Sequence, residues 1–180
     1  MITYSSGKEA TKKNTANLYR FSSLPNCLGV YAMDSQILLY RLSRKAEEAL
    51  TEMQTYADGQ LVSYWNPDAL IESVNGAIWH VWQFADGSKH AGYCLSLQCR
   101  FSQLKPLVKL YYAKSSVRNM WLYVSGYASC FPDPDLVIMC AERAIQQAAE
   151  VGNDVAELST LFVTLKEQMV IICSSMQKKS

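Results

Sequence analysis

Near the middle of the chain the dipeptide Asp86-Gly87 divides residues with helical apolar spacing from residues with alternating spacing. Asp-Gly is a turn pair of two-residue β-hairpins, whose central positions both take positive φ. Beyond it Tyr93, Leu95, Leu97, Cys99 and Phe101 alternate with Gly92, Cys94, Ser96, Gln98 and Arg100. A period of two gives a strand one apolar face and one mixed polar face. The pattern predicts strands over 77–84 and 89–101, continued by 107–113 and 119–127 into a four-stranded antiparallel meander. Val108, Leu110, Tyr112, Met120, Leu122 and Val124 are its inward candidates.

Such a sheet needs cover, and residues 133–178 supply two helices. Asp133-Pro134-Asp135 opens the first, Gly152-Asn153-Asp154 breaks it, and the second runs on from Val155. In the second, Leu158, Phe162, Leu165, Met169, Ile172 and Met176 stand four, three, four, three and four apart, the heptad stripe of a helix packed along another. The stripe either closes a helical hairpin on the sheet or, through Leu158, Phe162, Leu165, Met169 and Ile172, forms the seam of a homo-oligomer. Nearer the N-terminus, Ala46, Leu50, Met53 and Ala57 mark a helix over 43–57 that Asp58-Gly59 ends. The apolar runs 28–33 and 37–42 read either as a hairpin about Asp34-Ser35-Gln36 or as a helix capped by Ser35. A short strand is expected over 61–65, and Pro67 suits the first turn of a helix ending near Asn75-Gly76. The polar stretch 1–20 reads as a mobile arm preceding one domain over 21–180. The fold expected is therefore α+β: an antiparallel meander sheet of four to six strands, an N-terminal helical segment and two C-terminal helices packed on the sheet.

With 49% hydrophobic residues among 180, the chain has ample material for a core. No run of eighteen apolar residues occurs, and the polar N-terminus lacks a signal core. Six cysteines among mostly apolar neighbours fit a reducing compartment, so a soluble cytoplasmic protein is expected. The net charge of +1 excludes a strongly basic or acidic protein, but the charge is unevenly placed. Residues 87–132 hold six basic side chains and no acidic ones, whereas 133–168 hold two basic and seven acidic.

On the meander, Arg100, Lys105, Lys109, Tyr111, Trp121 and Tyr123 would share the face away from the core. Cations neutralise phosphates or carboxylates while flat rings stack on bases, so this face would engage nucleic acid or an acidic protein. A non-enzymatic, homo-oligomeric interaction protein is the function expected. The alternative is an apolar-ligand domain in which helices close over the sheet.

Enzyme chemistry has thin support. No phosphate-binding, dinucleotide or nucleophile-elbow glycine motif is present, so no cofactor is expected. Two histidines and no Cys-x-x-Cys make a zinc cluster unexpected. On a strand, His90 and Cys94 would be about 13 Å apart, too far for a catalytic pair. Cys130 has no histidine placed beside it by sequence. Leu24-Pro25, Gly29-Val30-Tyr31 and Leu39-Tyr40, before a helix containing Arg44, resemble the opening of the GIY-YIG nucleases. The resemblance implies phosphodiester-cleaving roles for Tyr31, Tyr40 and Arg44. It departs from the family at Arg41-Leu42, where a small hydrophobic-glycine pair belongs, and in the short Tyr31–Tyr40 spacing. Glu72 is a loose match for the family's metal-binding glutamate.

Overall fold

A computed structural model describes residues 28–60, 66–87, 89–127, 131 and 133–177, and 88% of these are helical, with no strand among them. The α+β expectation and its antiparallel sheet are therefore overturned. Five helices follow in order: α1 (Leu28–Ala57), α2 (Pro67–Phe84), α3 (Ala91–Leu122), α4 (Pro134–Glu150) and α5 (Ala156–Gln177). The expected arm over 1–20 and strand over 61–65 lie outside the described residues.

All four proposed meander strands belong to helices. Residues 77–84 continue α2, 89–101 and 107–113 belong mainly to α3, and 119–127 form the end of α3 and a π-helical turn at Tyr123–Tyr127. Gly87 does not take the left-handed conformation that the hairpin turn requires. Instead the Asp86 carbonyl accepts from the Lys89 and His90 amides, at 3.0 and 3.1 Å, and leads the chain into α3. Residues 28–42 are likewise one helix with 43–57, so the hairpin falls, and so does a helix start capped by Ser35, which lies inside α1.

Alternation misled because α3 carries two periods that share residues. Cys94, Leu97, Phe101, Leu104 and Val108 are buried at spacings of three, four, three and four, while Leu95 and Cys99 are exposed. Leu97 and Phe101 satisfy both periods, and the helical one wins because it continues. With α1 residues Ala46, Leu50, Met53 and Tyr56 and α2 residues Leu70, Val74, Ile78 and Val81, this stripe forms a first core.

A second core lies further along the same helix. Ala113, Val117 and Met120 of α3 join Ala141, Ala144, Ile145 and Ala148 of α4 and Phe162, Leu165 and Met169 of α5. At 3.6 residues per turn, the second buried stripe is rotated about 145° around α3 from the first. Two cores thus sit on two faces of one helix about 48 Å long. Pro106 lies just before the changeover. It has no amide to donate to the helical ladder, and its carbonyl also accepts from the Asn153 side chain at 2.9 Å, which pins the α4–α5 connection to the middle of α3.

The remaining boundaries have local causes. Asn66 and Asp133 accept amides of the first turns of α2 and α4, each followed by a proline at the first helical position. Asp154 accepts the Ala156 amide at the start of α5. Gly59 and Gly152, at φ 75° and 87°, end α1 and α4. In each case the glycine and the next residue donate back into the last turn, to Tyr56 and Thr55 or to Ala149 and Ala148.

Gly59→Ala is expected to destabilise the protein by about 1–3 kcal/mol, because the left-handed backbone is strained for alanine. The new Cβ would also stand 2.9 Å from the Tyr111 ring. Gly76→Ala, within α2 and with no neighbour in reach of the added carbon, should instead stabilise by about 0.5–1 kcal/mol. Urea unfolding midpoints of both variants test the assignment.

Candidate functional site

The six residues expected on one basic and aromatic face are dispersed around α3 and the turn that follows it. Arg100 pairs with Glu47 of α1, whose other carboxylate oxygen accepts from the Tyr93 hydroxyl at 3.4 Å. Lys105 is exposed, and Lys109 is buried. Tyr111 is half-buried, edge-on to Tyr56 with ring centroids 5.2 Å apart. Tyr123 is buried with its hydroxyl 3.6 Å from Cys173 Sγ; that hydrogen bond, then burial, holds the phenol above its ordinary range. Of the six, Trp121 alone is an exposed ring, 53% accessible. The proposed seam is also internal: Phe162, Leu165 and Met169 are buried against α3 and α4, and Leu158 and Ile172 flank them.

Cations and apolar side chains do share a face, on a different set of positions. Leu107, Tyr111, Lys114, Arg118 and Trp121 are spaced four, three, four and three apart along α3. On a helix this places them in one stripe; Tyr111 borders the first core through Tyr56, and the other four lie on the side turned away from both cores. Leu107, Lys114, Arg118 and Trp121 are exposed, and no carboxylate among the described residues lies within 4 Å of Lys114 or Arg118.

The buried Lys109 marks a second feature. Its ammonium donates to Asp68 at the start of α2 and to Gln147 Oε1 of α4, the latter at 2.9 Å. Gln147 Nε2 in turn donates to the second Asp68 oxygen at 3.3 Å. The Lys109 side chain is 7% accessible and that of Asp68 40%. The hydrogen bond from Lys109 holds the Asp68 carboxyl below its ordinary value, and Arg143 adds to the effect. Outside this triad lies a cleft of about 260 Å³ between the start of α2, Tyr112 of α3 and Met139, Cys140 and Arg143 of α4. Burial raises the Tyr112 phenol above its usual range, with Cys140 contributing.

Catalytic arrangements gain little. On α3, His90 and Cys94 are four residues apart at the helix start, so the strand-based separation between them no longer applies. Cys94 is nevertheless buried, and burial pushes its thiol up, away from the reactive thiolate. Tyr31 and Tyr40 lie on the single helix α1, about 13 Å apart along its axis, and Arg44 pairs with Glu48. No group of three metal-ligating side chains occurs among the described residues. Cys130 lies outside them. No described helix is long and apolar enough to cross a membrane. No family model, curated protein or solved structure matches the chain.

Sequence reasoning missed the triad because its members are 38 to 79 residues apart. The available signal was Lys109 itself, a charge between Leu107-Val108 and Leu110-Tyr111. Asp68→Ala should cost about 3 kcal/mol, the low end for a broken buried pair, since Asp68 is partly solvated. A Lys109→Met/Asp68→Asn double variant should recover most of that loss. Folding lowers the Asp68 pKa from 3.8, so its contribution is complete above that value and declines as pH falls through the lower folded one. Chemical unfolding from pH 7 to pH 2 should show a steeper acid loss in the parent than in the double variant.

Proposed function

We propose that the protein is a non-enzymatic interaction module whose outer α3 stripe docks an acidic, amphipathic helix. The observation that carries this reading is the exposed stripe Leu107, Lys114, Arg118 and Trp121 on the side of α3 that neither core uses. A spacing of four and three is the spacing at which one helix seats the side chains of another. Apolar side chains at both ends and two cations between them match a partner with apolar anchors flanking carboxylates. Trp and Arg are also the residue types that dominate measured interface energies.

Charge number favours a protein partner over nucleic acid. Tight non-specific binding of nucleic acid rests on about six to ten phosphate contacts. Lys114 and Arg118 supply two, and Lys105 projects from another side of α3. A two-cation stripe gives a shallow salt dependence and leaves most of the affinity to Trp121 and Leu107.

A 21-residue helical peptide with leucine at the seam positions and glutamate beside them provides the test, read by fluorescence anisotropy. Lys114→Glu/Arg118→Glu and Trp121→Ala should each weaken binding at least tenfold with the melting temperature unchanged, since these side chains are exposed. Tighter binding of a single-stranded oligonucleotide than of the peptide, or equal affinity in all variants, overturns the reading.

A further inference from the structure

We propose that the cleft between the start of α2 and α4 is a binding site for a small organic carboxylate, with Arg143 as its anchor. The site is separate from the α3 stripe and does not rest on that reading.

The acidic group at the cleft is already satisfied. Lys109 donates to one Asp68 oxygen and Gln147 to the other, so the carboxylate presents little free capacity to a ligand. Lys109 is held almost out of solvent, which keeps that neutralisation in place when the cleft is occupied. Arg143 has no ion-pair partner within 4 Å among the described residues, although it is near enough to Asp68 and Tyr112 to shift both. Lys109, Asp68 and Arg143 together leave one uncompensated positive charge at the cleft.

The groups facing the space define the ligand class. The Arg143 guanidinium is a planar fork that pairs with a carboxylate through two parallel hydrogen bonds. Tyr112 and Cys140 add an O–H and an S–H, and burial raises the Tyr112 phenol, which keeps it a donor at neutral pH. Pro67 and Met139 form apolar walls, and Met139 is 58% exposed, so an apolar body on the ligand would cover it. A volume near 260 Å³ equals about eight water-sized groups. A carboxylate with a short ring or chain fills it, inorganic phosphate lacks the apolar body, and Arg143 repels a cation.

Benzoate is the probe, titrated into the full chain and followed by two-dimensional NMR, with butyrate and inorganic phosphate as comparisons. A ligand of this size binds on the order of millimolar. Benzoate should produce saturable shifts centred on Asp68, Cys140, Arg143 and Gln147, with affinity at least tenfold above that of phosphate. Arg143→Gln should reduce benzoate affinity at least tenfold, and Arg143→Lys should restore only part of it because the fork is lost. Lys114→Glu/Arg118→Glu, which cripples the α3 stripe, should leave benzoate binding unchanged. Linear, non-saturating shifts, equal binding of phosphate and benzoate, or full affinity in Arg143→Gln each overturn the proposal.

Discussion

The Lys109 ammonium is the group on which the arrangement of the two helical cores turns. A charge that is 7% accessible persists in a fold only with a compensating partner and filled hydrogen bonds. Its partners come from α2, which belongs to the first core, and from α4, which belongs to the second. Apolar contacts alone hold each core internally but do little to fix one core against the other, because dispersion and burial are non-directional. A buried ammonium with two defined acceptors is directional. It sets where the start of α2 lies relative to α4, and the cleft is the space left over that contact.

The turn of about 145° between the buried faces of α3 explains why one helix serves two cores without their merging. Val108 ends the first stripe and Ala113 begins the second, with Lys109 between them. A continuous heptad stripe would have lined up α1, α2, α4 and α5 along one side. The offset instead places the α4–α5 pair around the helix from the α1–α2 pair. Small residues at Ala141, Ala144 and Ala148, all fully buried, let α4 approach α3 closely at the second face.

Local signals in the sequence were read correctly where one residue type has one structural use. Asp133-Pro134 opens α4, Gly152 ends it, and the Leu158-to-Ile172 stripe is the buried side of α5. The same holds for Ala46, Leu50 and Met53 on α1. Reading failed on α3 because a helix that buries two different faces has no single amphipathic direction over its length. Its first half then resembles alternation through Leu97 and Phe101, and Asp86-Gly87 gave that resemblance a turn. Once four strands were drawn from a helix, Arg100, Lys105, Lys109, Tyr111, Trp121 and Tyr123 fell on one imagined face. The segregation of charge was legible, since it depends on composition alone, whereas the face that displays it depends on period.

That segregation determines what α3 can present. Residues 87–132 contain no carboxylate, so every cation there must find a partner on another element or remain in solvent. Glu47 of α1 takes Arg100, and Asp68 of α2 takes Lys109. The acidic side chains of α4 and α5 do not reach Lys114 or Arg118, because those helices pack on a different face of α3. Two buried faces about 145° apart leave one broad face uncovered on the wider arc, and Lys114 and Arg118 lie on it with Leu107 and Trp121. The exposed cationic and aromatic stripe is thus a geometric consequence of the same changeover at Lys109 that separates the cores. A change of register there would move the stripe and the junction together.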